Sequence, residues 1–551
     1  MIDVKRWVRS EVGPIGRLCA VATAIWLMAA APALAAESGA MPRIVSRDGR
    51  HALIVDGAPY LMLGAQVNNS SAWPAMLPKV WPTIEALHAN TVEVPIAWEQ
   101  IEATEGRFDF SFLDTLLAQA RAHNVRLVIL WFGTWKNTGP NYAPAWVKLD
   151  NKRFPRMMNA KGEVHYALSP FAKATRDADR RAFVALMTHI KAADPQHTII
   201  MVQPQNETGT YGSVRDYGPA AQKLFDGPAP AALVARLKAK PGTWREAFGK
   251  DADEYFHAWA IARYVDAVAA AGKAVKPLPM YVNAALSDPF KKQDPATYSS
   301  GGPTHDVIDV WKAAAPHIDA LAPDIYNRDA AAYNRYLDLY GRADNPLFVP
   351  ETGNDREYAR FFFALIGHRG FGFAPFGMDE TGYANFPLGA KKLDPATIQV
   401  FAQNYALFAP MVRLWAKLAF AGKTWGAVEP NDPKADHQQV MALGRWRATA
   451  SFGRPQFGMD PPKGNEYPSG GVAIAELAPD EYLVTGFHAR VDFTPADPAR
   501  GKMIFDRVEE GHYDAAGAWV FERVWNGDQT DYGLNLTSAP QVLKVRLATY
   551  R

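Results

Sequence analysis

The sequence predicts an α/β fold: a parallel (β/α)8 barrel of the TIM type followed by a smaller antiparallel β-sandwich. Three observations predict it. Apolar runs alternate with helical patterns eight times between residues 60 and 377. No glycine-rich dinucleotide loop follows the first run, which weighs against an open doubly wound sheet. After about residue 425 the helical period gives way to short β-rich runs punctuated by Pro, Gly and Asp.

The elements follow in order. A hairpin over 44–57 carries the turn dipeptides Asp48-Gly49 and Asp56-Gly57. Eight strands are expected at 60–66, 91–98, 126–132, 198–205, 279–283, 318–326, 346–351 and 371–377. Amphipathic helices are expected at 110–124 and 251–272, and most other intervals hold a helical pattern. The intervals 133–197 and 206–250 are long. Both follow a strand's C-terminal end, where a barrel carries its functional loops. Further strands are read at 471–477, 481–493, 502–514 and 518–525, with a turn from Asp514 to Gly517 between the last two. The expected domains are therefore a leader (1–36), a barrel with its hairpin (37–425) and a β-rich domain (426–551).

The leader reads as a signal peptide. Lys5, Arg6, Arg9 and Arg17 precede an apolar run at 18–30, and Ala33-Leu34-Ala35 offers a small-residue cleavage site. The run is too short to span a bilayer comfortably, so a periplasmic or secreted protein is expected, with no membrane attachment after cleavage. The single cysteine, Cys19, lies inside this leader, so disulfide and thiol chemistry are excluded from the remainder. Four of the 59 basic and two of the 57 acidic residues lie in the leader, and the rest balance. That balance points away from a nucleic-acid partner or an anionic membrane surface. Oligomeric state is left open.

Two carboxyls stand at the ends of expected strands. Glu207 lies in Gln203-Pro204-Gln205-Asn206-Glu207-Thr208-Gly209 after the fourth, and Glu351 in Val349-Pro350-Glu351-Thr352-Gly353 after the seventh. In a barrel these two ends meet across the C-terminal mouth. Cleavage of a glycosidic bond by double displacement needs such a pair about 5–5.5 Å apart. Glu207 is the expected acid/base and Glu351 the expected nucleophile. Asn206 is placed to bond a sugar hydroxyl, and Tyr326, at the end of the sixth strand, to donate to Glu351 and keep it ionised. The thirteen His show no metal-ligand spacing, so neither a metal nor a cofactor is expected. Asp379-Glu380, after the eighth strand, is read as a cap or sugar contact. No nucleophilic serine elbow stands out.

At these residues the chain resembles glycoside hydrolase family 35, a β-galactosidase family. The resemblance runs through Asn90-Thr91-Val92, then from Trp98-Glu99-Gln100-Ile101-Glu102 to Glu105-Gly106-Arg107-Phe108-Asp109-Phe110, and through the Asn206-Glu207 pair. It covers roughly residues 44–425. The C-terminal region looks like an uncharacterised domain carried by a bacterial branch of that family. The resemblance implies a retaining exo-β-galactosidase that removes terminal galactose from plant hemicellulose oligosaccharides of the xyloglucan type.

The chain departs from the family pattern in two places. Pro95, Ile96 and Ala97 stand where a Tyr is usual, and Trp131-Phe132-Gly133-Thr134-Trp135-Lys136-Asn137 replaces the usual third-strand loop. Asn137 and Glu102 are expected to take over contacts to sugar hydroxyls, and Trp135 and Phe376 to stack on sugar faces. The competing expectations are a β-glucosidase, an α-L-arabinosidase or an endo-glucanase on the same barrel, and, in another class, a non-catalytic carbohydrate-binding protein.

Overall fold

The computed structural model describes residues 39–453 and 465–551. The leader, its cleavage site and Cys19 lie outside the described residues. No helix among the described residues is long and apolar enough to cross a membrane.

Eight parallel strands form one sheet: Met62–Gln66, Thr91–Ala97, Arg126–Lys136, Ile199–Asn206, Tyr281–Ala285, Ala320–Ile325, Val349–Thr352 and Gly372–Pro375. Neighbours in sequence are neighbours in the sheet, and the eighth strand pairs with the first. A parallel bridge between Val202 and Met280 joins the fourth to the fifth and closes the ring. These strands are buried on both faces, outward against helices and inward against each other, so they read as continuous apolar runs rather than alternating ones. The expected helices appear at Ser111–Ala122 and Ala252–Val275.

The hairpin becomes a three-stranded sheet, Arg43–Arg47, Arg50–Val55 and Ala58–Tyr60. Its Leu53 and Val55 share a core cluster with Met62, Phe348 and Phe371 from the starts of barrel strands. It therefore plugs the N-terminal end of the barrel and leaves the C-terminal mouth for chemistry.

The third strand runs beyond its expected end at Phe132 to Lys136. Asp179, on the helix Lys173–Ala193, draws that extension inward. Its buried carboxylate accepts from Trp131 Nε1 (2.8 Å), Thr134 Oγ1 (2.6 Å), the Thr134 N–H (3.2 Å), Tyr264 OH (3.2 Å) and Gln205 Nε2 (2.6 Å). A Cβ at Gly133 would lie 2.5 Å from Trp131 Nε1 and 2.8 Å from both Asp179 and Gln205, so only glycine fits between them.

Beyond the helix Val412–Phe420 the chain forms two antiparallel sheets, one of six strands and one of four. A separate core lies between them, with Trp446, Phe452, Ile474, Val484, Val491 and Phe493 at its centre. The run expected as one strand at 481–493 is two, Glu481–Phe487 in the six-stranded sheet and Ala489–Pro495 in the four-stranded one. His488 between them has φ 53°, and this left-handed residue carries the chain from one sheet to the other. The six-stranded sheet rests on the barrel through the helix Phe361–Gly367, where the Phe363 ring lies 6.2 Å from that of Phe487.

Candidate active site

The sequence around Glu207 bends the end of the fourth strand. Gln205 and Glu207 both have left-handed backbones, at φ 69° and 45°, which non-glycine residues adopt only when neighbours hold them. Gln205 is held at both ends of its amide, donating to Asp179 and accepting from the Trp135 N–H at 3.0 Å. The Glu207 N–H donates to Asn283 Oδ1 at 3.0 Å. Gly209 is required two residues on, because a Cβ there would fall 2.2 Å from Ser299 Oγ.

Glu207 and Glu351 meet at the mouth. Both line a cavity of about 420 Å³ together with Asn69, Lys136, Asn137, Tyr211, Asp324, Tyr326 and Phe376. One oxygen from each of Glu207, Asp324 and Glu351 lies within 4.8 Å of the other two. Glu351 is buried, and both its oxygens are hydrogen-bonded, Oε1 by Tyr326 OH at 2.5 Å and Oε2 by Gln66 Nε2 at 2.9 Å. These two donors fix the position of the carboxyl in the mouth. Glu207 has a different surrounding. Its Oε2 lies 3.7 Å from Lys136 Nζ. Burial pushes its carboxyl above the usual range, Lys136 opposes that rise, and the neighbouring Glu351 adds to it. The two carboxyls thus stand in different surroundings, Glu207 beside a lysine and Glu351 between two hydrogen-bond donors.

The other expected site residues divide into two groups. Tyr326, Asn137 and Phe376 line the cavity. Asn137 Oδ1 is engaged by Lys136 Nζ at 2.6 Å. Asn206 is fully buried beside Glu207, and neither its Oδ1 nor its Nδ2 has a partner among the described residues. Buried amides are normally bonded, so this side chain keeps unused hydrogen-bonding capacity behind the cavity wall, although it does not itself line the cavity.

Two expectations are corrected. Glu102 does not line the cavity. Its Oε2 accepts from Trp98 Nε1 (2.7 Å) and its Oε1 from the Gly106 N–H (2.8 Å), so it clamps the loop that follows the second strand. Trp135 is 1% exposed, packs its ring against Tyr264 at 4.5 Å, and donates to the Leu168 carbonyl, leaving no face for a sugar. Accordingly, Glu102→Ala is expected to cost about 1–3 kcal/mol of stability in thermal or denaturant unfolding. The KM for any cleaved glycoside should stay within about twofold of wild type. Asp379 is a cap, accepting from the Asn68 N–H (2.7 Å), Ser71 Oγ (2.8 Å) and the Thr381 N–H (3.1 Å).

Four contributors are absent from the sequence-based expectations: Gln66, Lys136, Asn283 and Asp324. A signal exists for Asp324, which stands two residues before Tyr326 in the run expected as the sixth strand, where alternate residues share a side. Gln66 likewise ends the first strand. For Lys136 and Asn283 the partner is supplied by a distant strand, and no local pattern marks them. The spacing of the three carboxyls also suits a cation. Lys136 and the two donors on Glu351 already supply positive charge and hydrogen bonds to the cluster, which is the arrangement of carboxyl chemistry.

Comparison with known proteins bears on this site. Residues 401–537 match the model of a domain of unknown function. No curated protein matches the chain. Similar solved structures include the β-galactosidase of Bacillus circulans sp. alkalophilus, with a TM-score of 0.47 and 13% identity over 65% of this chain and 60% of that one. Another is the β-galactosidase of Rahnella sp. R3, with a TM-score of 0.47 and 16% identity over 66% and 58%. A third is an exo-β-1,4-mannosidase from Opitutaceae bacterium strain TAV5, with a TM-score of 0.41 and 13% identity over 66% and 62%. The chain spans about 60% of the length of these proteins. Residues 73–274 match the glycoside hydrolase family 42 model, described as Beta-galactosidase. The expected likeness to β-galactosidases thus holds at that level, with family 42 rather than family 35 the one matched. It covers the segment that carries Glu207 and stops before Glu351.

Proposed function

We propose that the chain is a retaining exo-glycoside hydrolase of the β-galactosidase type, with Glu351 as nucleophile and Glu207 as acid/base. The observation that carries this reading is the approach of Glu207 and Glu351 oxygens to within 4.8 Å in the barrel mouth. A retaining pair stands about 5–5.5 Å apart, whereas an inverting pair leaves about 6.5–9.5 Å for a water. In the first step Glu351 attacks the anomeric carbon while the Glu207 proton passes to the departing oxygen, and a glycosyl ester forms. In the second, the Glu207 carboxylate takes a proton from water. The resulting hydroxyl attacks the anomeric carbon and frees Glu351. Tyr326 and Gln66 hold the nucleophile in place. Asn206, Asn137 and Phe376 are the proposed sugar contacts.

Terminal galactose on xyloglucan-type oligosaccharides is the proposed substrate. The family match over 73–274 and the sequence resemblance around residues 90–110 support galactose, and the leader supports a periplasmic or secreted location. A panel of nitrophenyl glycosides and galactosylated xyloglucan oligomers tests this. Galactose release is the expected result, and its absence from every substrate rejects the galactosidase. Release of glucose, arabinose or longer products instead assigns one of the other hydrolase activities.

Lys136 gives the site a pH signature. Glu207 must be protonated for the first step, so the alkaline limb of kcat/KM reports the loss of its proton. Lys136 holds that carboxyl down. Lys136→Met is therefore expected to move the limb to higher pH in a pH–rate profile, and Lys136→Arg to leave it near wild type.

A further inference from the structure

Asp324 is a third carboxyl in this cluster, and the two-carboxyl mechanism does not use it. It sits on the sixth strand with its Cα paired in parallel register with that of Glu351. It is 3% exposed. Asn283 ties it to the other glutamate, because Asn283 Nδ2 donates to Asp324 Oδ2 at 2.7 Å while Asn283 Oδ1 accepts from the Glu207 N–H. Asp324 Oδ1, by contrast, has no hydrogen-bond partner among the described residues.

Charge decides what that free oxygen is. The groups acting on Asp324 are Glu351, Glu207, Lys136 and the buried Glu93, and those three glutamates all raise its carboxyl. Burial is the largest cause and lifts it well above the usual carboxylate range, with Lys136 the opposing cation. Tyr211, Tyr281, Tyr326 and Tyr340 also face it, each with its hydroxyl proton held by burial. One lysine balances one carboxylate. The proposed mechanism places one negative charge on the glutamate pair, so a second on Asp324 would stand buried and unbalanced, which is strongly unfavourable.

We infer that Asp324 is a positioning residue held as a neutral carboxylic acid, whose O–H donates to whichever of Glu351 and Glu207 bears the negative charge. This rests on the glycosidase reading above. In the first step negative charge leaves Glu351, as its oxygen bonds to carbon, and appears on Glu207, as its proton goes to the leaving group. The second step reverses both changes. The sum over the cluster is constant while its location alternates. One oxygen of Asp324 lies within 4.8 Å of an oxygen of each glutamate, so a side-chain shift of about 1–2 Å brings its O–H into hydrogen-bonding range of either one, and it serves each half-reaction without gaining or losing its own proton.

The test compares full-length Asp324→Asn and Asp324→Ala. Asn supplies an N–H donor of similar shape without a titrating proton. Asp324→Ala is expected to lose on the order of 10²–10³ in kcat/KM, and Asp324→Asn to remain within about tenfold of wild type. The loss in Asp324→Ala should appear with both good and poor leaving groups, since both steps need the donor. The infrared difference spectrum between wild type and Asp324→Asn at neutral pH should contain the carbonyl band of one protonated carboxylic acid. Equal inactivity of Asn and Ala, wild-type activity in Ala, or absence of that band would each overturn the inference. If wild type cleaves no glycoside, the glycosidase reading fails, while the infrared band still decides whether Asp324 keeps its proton.

Discussion

Replacing Glu351 by glycine is expected to reduce turnover by on the order of 10⁵–10⁶, the largest effect of any single change in this protein. The nucleophile is removed and nothing else in the cavity can take its place. Glu207 sits beside Lys136, and Asp324 is bound through Oδ2 to Asn283. The glycine leaves space next to Tyr326 and Gln66, two donors that suit a small anion. Azide or formate is therefore expected to restore part of the rate and to give a product of opposite anomeric configuration. Nuclear magnetic resonance of the product checks this. Full activity without added anion would remove Glu351 from the reaction.

The second largest effect is expected at Glu207. Its alanine variant should lose about 10²–10⁴ in kcat/KM on substrates whose leaving group needs a proton. On substrates with acidic leaving groups the first step should be nearly unaffected, and added azide should speed release of the intermediate. The alkaline limb of the pH profile should also disappear, since the raised carboxyl of Glu207 is its source. If the two glutamates exchanged these signatures, their roles would be reversed.

Much of this arrangement is legible in the sequence, and the remainder is hidden for physical reasons. The eight barrel strands can be read because each is a buried apolar run closed by polar residues, and the two glutamates stand out at the ends of two of them. The strand lengths are less legible. Asp179 is remote from the third strand in sequence and belongs to no local pattern with it, yet its carboxylate draws that strand on to Lys136.

Trp135 and Glu102 mislead for a related reason. An aromatic ring or a carboxylate in a loop looks free until its partners arrive, here Tyr264 and Leu168 for the one, Trp98 and Gly106 for the other. The break at His488 is hidden because apolar residues recur on both sides of it, so one strand and two strands in different sheets look alike. The strand Gln438–Leu443 escapes the sequence pattern because its exposed positions include the apolar Val440 and Ala442, which blurs the alternation, and Trp446–Phe452 because its inward positions include the small Ala448 and Ala450. In the site itself, Asp324 and Gln66 require the closed barrel, since only its register brings the ends of the first, sixth and seventh strands together.

The pairing of Glu351 as nucleophile with Glu207 as acid/base is tested most directly by trapping the intermediate. A 2-deoxy-2-fluoro galactoside with an activated leaving group slows both steps, the second more than the first, and so accumulates the glycosyl ester. Peptide mass spectrometry of the inactivated protein should find one fluorosugar, attached to Glu351. A label on Glu207, Asp324 or any other carboxyl, or turnover of a cleaved substrate with inversion and no adduct, would contradict the assignment.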